Sequence, residues 1–453
     1  MKSAYFPIKI LNRVSIKSLA AHISAYNLRR AGGEFFWIGV GQVMAVLGAI
    51  VGVRWITQLL DPQRYGELAL GLTVALFTSQ AIWGPLGGGI SRFFAPALEA
   101  QTLSGYLKAI RILGGRISLG SLLIAGLVCG GGWALGYGHL VGLAGLAMLL
   151  GLTDGYCGSL NAIQYAARQR MVVAWHQGLG AWLRFLVAVG FIYLWGAFSW
   201  VVMLGYCGAS FIVLGSQFLF FKRKILISGQ QPIKYNEVSS WTEKLFAYSW
   251  PISIFGMFTW AQIASDRWAL QFFGIASDVG LYTVLYQVGY YPIMTLSGLV
   301  IQFIQPVIYA WAGDNSDEGR VQRTRRISHA LVTSALILTA MGTLLAFLLH
   351  EQIFSLLVGV KYRGVASLLP LMVMAGGLFT AGQLASLILM TENNTRGLIA
   401  PKIFTAIFGI LLNIAGAYFL GLRGVVLACL LFALSYALWV IYLSRHQGKL
   451  VTQ

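Results

Sequence analysis

Long apolar stretches, each followed by a short polar segment, recur along the whole chain. A helix of about twenty apolar residues crosses a hydrocarbon core about 30 Å thick, so we interpret each stretch as a membrane-spanning helix. The pattern predicts twelve helices, at residues 33–59, 67–91, 112–135, 139–163, 174–195, 199–221, 245–272, 281–310, 328–349, 366–390, 401–420 and 424–443.

The longest polar interruption, residues 222–244, divides the predicted helices into two sets of six. Tyr65-Gly66-Glu67-Leu68 in the first set is weakly similar to Val279-Gly280-Leu281-Tyr282 in the second. Six is an even number, so two such sets would be parallel repeats. We expect an all-α integral membrane protein whose parts are a basic cytoplasmic or interfacial arm (1–32), an N-lobe (33–221), a cytoplasmic linker (222–244), a C-lobe (245–443) and a cytoplasmic tail (444–453).

Composition excludes a soluble protein. Of the 453 residues, 58% are hydrophobic and only 10% are charged, and the mean hydropathy is +0.74. This leaves too little polar surface to cover a soluble globule of this size.

The net charge of +18 follows a membrane topology. With both termini in the cytoplasm, 25 of the 32 Lys and Arg residues lie on the cytoplasmic side, as the positive-inside rule requires. The topology predicts a multi-pass membrane protein whose basic segments contact anionic lipids, and the charge gives no reason to invoke nucleic acid.

No catalytic pattern stands out. The four cysteines form no CxxC motif, and the six histidines have no metal-ligand spacing. A GxxxxGK[ST] nucleotide motif is also missing from the sequence. We therefore expect neither an enzyme nor a bound metal or organic cofactor.

Charged residues within predicted helices are the candidate functional groups, because a charge in hydrocarbon is costly unless it faces a partner or a cavity. Arg184 lies near the middle of the fifth helix, and Asp154 lies in the fourth. Two interpretations stay open: a structural ion pair between the two, or a pair that faces a cavity and serves binding or proton coupling.

Asp266 and Arg267 are adjacent on the seventh helix and point about 100° apart, so we expect each to need a partner other than its neighbour. A polar cavity wall and an interfacial anchor both fit them. Arg54 either contacts a ligand or snorkels to the outer surface. Arg92 follows Gly87-Gly88-Gly89 and is either an anion-binding residue or one more positive-inside charge.

Glycine pairs four residues apart predict close helix packing at Gly48/Gly52, Gly126/Gly130 and Gly151/Gly155. Prolines inside predicted helices remove helical hydrogen bonds and suit bends, at Pro85, Pro251, Pro292, Pro306 and Pro370.

A series of short motifs resembles the bacterial polysaccharide flippases, often called O-antigen or Wzx-type flippases. The order of the motifs is more specific than any one of them, and the resemblance covers most of the chain from about residue 33. They are Leu60-Asp61-Pro62-Gln63-Arg64-Tyr65-Gly66-Glu67, Gly84 to Arg92, Trp250-Pro251, Asp266-Arg267, Gly274, Val279-Gly280-Leu281-Tyr282, Pro306, Leu357-Val358-Gly359-Val360-Lys361-Tyr362, Asn413 and Gly421-Leu422-Arg423-Gly424.

The resemblance implies a twelve-helix transporter with two lobes around a central cavity, in the superfamily that also holds multidrug extruders and lipid II flippases. Its implied cargo is an oligosaccharide linked through pyrophosphate to undecaprenol, moved to the outer leaflet by alternating access for O-antigen, capsule or exopolysaccharide assembly. Polysaccharide polymerase machinery is the implied protein partner.

The resemblance also directs the candidate residues to cargo chemistry. Guanidinium groups bind phosphate through paired hydrogen bonds, so Arg92, Arg184, Arg267 and Arg54 are the expected cargo contacts. Asp154 and Asp266 are the expected cavity or coupling acids, for H⁺ or Na⁺, unless the membrane potential alone drives the anionic head outward.

Three other classes compete with this expectation. A multidrug/toxin extrusion antiporter shares the twelve-helix plan, but its cationic cargo favours an acidic cavity. A membrane glycosyltransferase usually needs a large extramembrane loop, and the predicted outside loops are short. A scaffold protein gives no reason to bury Arg184.

Overall fold

The computed structural model describes residues 16–134, 136, 138–223, 235–312, 317–391 and 398–446. Every regular element in these ranges is helical, which confirms the all-α prediction. Residues 1–15 of the predicted arm, 224–234 of the predicted linker and 447–453 of the predicted tail lie outside the described residues.

The helices occur in the following order. They are α1 (Ile16–Leu59), α2 (Pro62–Thr78), α3 (Gly84–Glu99), α4 (Leu103–Ala134), α5 (Gly138–Ala166), α6 (Arg170–Trp195), α7 (Ser199–Phe221), α8 (Tyr235–Phe273), α9 (Ala276–Leu285), α10 (Tyr291–Ala312), α11 (Glu318–Leu357), α12 (Leu369–Thr391) and α13 (Ile399–His446). π-Helical turns at Ser79–Trp83 and Tyr286–Tyr290 join α2 to α3 and α9 to α10, and a 3₁₀ segment, Val360–Leu368, precedes α12.

Ten helical stretches in the described ranges are long and apolar enough to cross a membrane. The joined α2 and α3 count as one of them, as do the joined α9 and α10. The protein is therefore a multi-pass membrane protein, whereas the division into twelve spans and two lobes stays a prediction.

Local sequence explains where two helices begin. Asp61 caps α2 by accepting a hydrogen bond from the backbone N–H of Arg64 at 2.9 Å, and Pro62 occupies the first helical position. Asp317 caps α11 in the same way through the N–H of Gly319 at 2.8 Å. With this cap α11 begins at Glu318, ten residues earlier than hydropathy predicts. The hydropathy pattern misses the first turns because they are basic.

The two π-helical turns each end two residues before a proline, at Pro85 and Pro292. Proline has no N–H for the carbonyl four residues earlier and its ring crowds that carbonyl, so the preceding backbone widens. The predicted irregularities at these two prolines are confirmed. The helix instead continues through Pro251 in α8 and Pro306 in α10, and Pro370 lies in the first turn of α12.

The last helical element doubles back at Gly421, whose φ of 58° lies in the left-handed region. A methyl group added to Gly416 would overlap the carbonyl oxygen of Gly424. In a straight helix these residues would be about 12 Å apart, so α13 is a helical hairpin that reverses where the sequence predicts a break.

Close packing at glycine is confirmed for two of the predicted pairs. A side chain at Gly52 would overlap the ring of Phe185 on α6, and one at Gly155 would overlap the ring of Trp83. The prediction is wrong for Gly126 and Gly130, where no atom in the described part of the chain lies within 4 Å of an added methyl group. This part of α4 is exposed, with Leu127 77% accessible, as suits a lipid-facing surface.

Candidate functional site: a cavity lined by an ion pair and amides

A cavity of about 570 Å³ lies among α1, α2, α5, α6 and α7 and is bordered by the α9–α10 segment. Most of its wall is contributed by residues before 222, within the predicted N-lobe, and Thr283, Gln287 and Tyr291 close one side of it. Its polar lining residues are Gln42, Tyr65, Asp154, Asn161, His176, Gln177, Arg184, Tyr206, Ser210, Gln217, Thr283, Gln287 and Tyr291.

Arg184 and Asp154 form an ion pair in the cavity wall. Nη2 of Arg184 lies 2.9 Å from both carboxylate oxygens of Asp154, and both side chains are 34% exposed. Ser210 donates to the same carboxylate at 2.7 Å and lies 3.3 Å from the guanidinium. The pair is thus an ion pair that also faces the cavity, and its role in binding or proton coupling stays a prediction.

Uncharged amides line the part of the cavity beyond the ion pair. Gln217 donates to the side-chain oxygen of Asn161 at 2.6 Å, and Gln42 and Gln177 lie on neighbouring helices. Both ring nitrogens of His176 have hydrogen-bond partners. Nδ1 lies 2.7 Å from the Val172 carbonyl oxygen, and Nε2 lies 3.1 Å from the Ser216 hydroxyl. The polar groups are thus nearly neutral overall, and they lie among apolar lining residues such as Leu68, Leu72 and Phe185.

Asp266 and Arg267 lie outside the cavity lining and are almost fully buried on α8. Contrary to the sequence expectation, they contact each other, with Nη1 of Arg267 3.2 Å from Oδ1 of Asp266. The arginine side chain is long enough to bend back to Asp266. The 100° between the Cβ directions of the two residues therefore does not separate the charges. Further partners are also present, as expected: Tyr282 donates to Asp266 at 2.8 Å, and Arg267 lies over the ring of Tyr286 at 5.0 Å.

Arg54 and Arg92 are also absent from the cavity lining. Nη1 of Arg54 donates to the backbone carbonyl of Ser355, at 2.7 Å, and to that of Val358. These carbonyls end α11, where the helix dipole attracts a cation. Arg92 is exposed on α3.

The two parts of the chain meet closely at the end of the bundle that the charge distribution predicts to face outside. The N–H of Gly359 donates to the hydroxyl of Thr57 at 3.0 Å, and the hydroxyl of Tyr362 donates to the carbonyl of Leu60 at 3.2 Å. We call residues 54–66, 276–280 and 355–362 the outer seal. These segments pack backbone against backbone at Gly66, Gly280 and Gly359.

Sequence reasoning ranked charges first and missed the amides and tyrosines of the cavity. A helical stripe was available as a signal: Asp154, Cys157, Gly158 and Asn161 share one face of α5. Gln177 and Arg184 repeat this spacing on α6, as Ser210 and Gln217 do on α7. Among the described residues, no group of three His, Cys, Asp or Glu side chains is placed to hold a metal ion.

Comparison with known proteins identifies the fold of this chain. No protein-family model and no curated protein matches the sequence. A multidrug resistance MATE family transporter of the MOP superfamily, solved in an inward-facing conformation, superposes with a TM-score of 0.72 at 15% identity, over 91% of this chain and 95% of that one.

Two other solved structures share this architecture. The lipid II flippase MurJ, in an inward closed conformation, has a TM-score of 0.64 at 14% identity, over 90% of this chain and 86% of that one. A MOP superfamily transporter from Pyrococcus furiosus, described as having a binding pocket of reverse polarity, has a TM-score of 0.55 at 12% identity, over 94% and 96%. The chain has the fold of the MOP-superfamily transporters, and the O-antigen flippase family indicated by the motifs goes beyond what this likeness shows.

Proposed function

We propose that this protein is a flippase that moves an undecaprenyl-pyrophosphate-linked oligosaccharide from the inner to the outer leaflet of the bacterial inner membrane, for O-antigen, capsule or exopolysaccharide assembly. The sugar head group occupies the cavity while the prenyl tail stays in lipid. The observation that carries the proposal is the lining itself, in which amides and tyrosines accompany the Asp154–Arg184 ion pair.

Sugar hydroxyls both donate and accept hydrogen bonds, and amide side chains offer both functions in return. Gln42, Asn161 and Gln177 supply such groups from three different helices, and the fully buried Gln217 holds the Asn161 amide in place. A cavity of about 570 Å³ holds a head group of a few sugar rings, within the usual range of ligand sites.

Arg184 is the proposed pyrophosphate contact. A guanidinium has five N–H donors, and its hydrogen bonds to Asp154 and Ser210 within the described residues use Nη2. It can therefore hold Asp154 and still donate to phosphate oxygens through its other groups. MurJ, which shares the fold, is named for a lipid-linked substrate, in agreement with such a cargo.

The other candidate residues take less direct roles in this proposal. Arg92, exposed on α3, attracts the anionic head at the cytoplasmic surface, and Arg267 contacts cargo only in a conformation that opens the outer seal. Arg54 acts on the seal. Membrane potential drives the anionic head outward, with H⁺ or Na⁺ coupling through Asp154 or Asp266 as the competing mechanism.

A multidrug/toxin extrusion antiporter is the second candidate. Asp154 places one carboxylate in the cavity. The multidrug transporter also has a higher TM-score than MurJ, 0.72 against 0.64. Arg184 neutralises that carboxylate at 2.9 Å, which weakens attraction for a cationic drug.

Gene deletion combined with reconstitution distinguishes the two candidates. Deletion is expected to leave lipid-linked oligosaccharide accumulated in the inner leaflet with unchanged drug sensitivity, and purified protein is expected to translocate a fluorescent polyprenyl-pyrophosphoryl disaccharide in proteoliposomes. Increased drug sensitivity without accumulation of the lipid would reject the flippase and favour the extruder.

A further inference from the structure

We propose that the hydrogen bond between Tyr65 and Gln287 senses a hydroxyl-bearing head group in the cavity and transmits its binding to the outer seal. This inference rests on the proposed function, because it takes a sugar as the ligand. The hydroxyl of Tyr65 donates to Oε1 of Gln287 at 2.6 Å, and both residues line the cavity.

The bond connects two parts of the chain that are distant in sequence. Tyr65 lies in the first turn of α2, and Gln287 lies in the π-helical turn Tyr286–Tyr290. π-Helical turns hold their backbone less regularly than an α-helix and recur at functional sites. The bond therefore lies where the α9–α10 segment deforms most easily.

Tyr65 is also in direct contact with the outer seal. Its ring packs edge-on against Tyr362 with centroids 5.8 Å apart, and Tyr362 is fully buried and bonded to the backbone of Leu60. The next residue, Gly66, packs on the backbone of Ala276. A movement of the Tyr65 side chain therefore disturbs the ring contact with Tyr362 directly, one residue from the Gly66 backbone contact.

A sugar hydroxyl can replace the bond without leaving a polar group unsatisfied. It donates to Oε1 of Gln287 and accepts from the hydroxyl of Tyr65, so the exchange costs little hydrogen-bond energy. A fully ionised pyrophosphate only accepts hydrogen bonds and cannot satisfy the Gln287 oxygen. The pair thus distinguishes a sugar-bearing lipid from the bare polyprenyl pyrophosphate.

Hydrogen–deuterium exchange of the full chain in lipid nanodiscs tests the proposal. Tyr65→Phe removes the bond, and without ligand it is expected to speed exchange in the outer seal about fivefold, the effect of one ordinary hydrogen bond. Tyr206→Phe is the matched control: Tyr206 is equally buried and lines the same cavity, and its hydroxyl makes no hydrogen bond to the described residues. Its seal is expected to exchange as in the wild type.

Ligand dependence provides the second measurement. In the wild type, a polyprenyl-pyrophosphoryl disaccharide is expected to speed exchange in the seal, whereas sugar-free polyprenyl pyrophosphate leaves it unchanged. In Tyr65→Phe the sugar lipid adds little, because the bond is already absent. If Tyr65→Phe fails to fold, Gln287→Met removes the same bond from the other side.

Equal exchange in the wild type and Tyr65→Phe, or equal effects of the two lipids, would overturn the inference. Proteoliposome assays separate this outcome from failure of the proposed function. Translocation of the sugar lipid with an unresponsive seal rejects the sensor alone, whereas a seal that opens in Tyr65→Phe without any translocation by the wild type rejects the sugar-lipid cargo.

Discussion

Gly66 of α2 and Gly280 of α9 pack against each other reciprocally in the outer seal. A methyl group at Gly66 would overlap the carbonyl oxygen of Ala276, four residues before Gly280. A methyl group at Gly280 would overlap that of Pro62, four residues before Gly66. Such a symmetric contact is expected where a two-fold axis relates two parallel repeats, although the duplication itself stays a prediction.

Gly66→Ala is expected to prevent closure of the seal, because the added methyl group meets backbone, which cannot move aside cheaply. We expect the free energy of unfolding to fall by about 1–3 kcal/mol, as for other overpacked sites. Thermal unfolding in detergent measures this change. Gly126→Ala, on the exposed face of α4, is the matched control and is expected to keep or slightly raise the stability. Equal losses in the two variants would contradict the prediction.

Arg184→Gln is expected to destabilise the protein by about 1–2 kcal/mol, less than the 3–5 kcal/mol of a fully buried pair, because both partners are about one-third exposed. The variant leaves the Asp154 carboxylate without its cation. The double variant Asp154→Asn/Arg184→Gln is expected to regain this stability, as judged by thermal unfolding.

Translocation separates the two roles of the pair. If Arg184 contacts cargo, the stable double variant still fails to move the sugar lipid in proteoliposomes, while Asp154→Asn alone keeps part of the activity. Wild-type rates in the double variant would show that the pair is structural only.

Arg54→Gln is expected to loosen the outer seal, since the guanidinium joins α1 to the carbonyls that end α11. Arg64→Gln is the control. Arg64 also lies near the outer end, but its side chain bonds to the carbonyl of Ala197 and pairs with Asp61, both before residue 222. Faster hydrogen–deuterium exchange of residues 355–362 is expected in Arg54→Gln alone. Unchanged exchange in Arg54→Gln would show that this side chain does not stabilise the outer seal.

Translocation is expected to accelerate with an inside-negative membrane potential. Moving one negative charge outward gains about 2.3 kcal/mol per 100 mV. A potassium diffusion potential set with valinomycin in proteoliposomes measures the dependence, and Asp154→Asn tests coupling through that acid. A rate that follows the pH or Na⁺ gradient and ignores the potential would favour ion coupling.

The pairing of Arg184 with Asp154 could be anticipated because few charges occur in the apolar stretches and short loops make consecutive helices neighbours. Pairing between Asp266 and Arg267 was wrongly discounted, because helical geometry places Cβ atoms and not the ends of long side chains. The cavity amides were missed because a glutamine in an apolar helix is ambiguous by itself. Gln217 gains its meaning only when α5, α6 and α7 are packed together.

The sequence by itself determined that this is an all-helical membrane protein, and it located most helices and the break at Gly421. These properties depend on local hydropathy and backbone chemistry, which can be read from each segment without knowing how it packs. The tertiary structure decided which charges face the cavity, that Arg54 belongs to the outer seal, and that Tyr65 meets Gln287 across 222 residues of sequence. Such contacts depend on how helices distant in sequence pack against each other. Hydropathy does not predict them, because alternative packings place the same apolar residues in lipid.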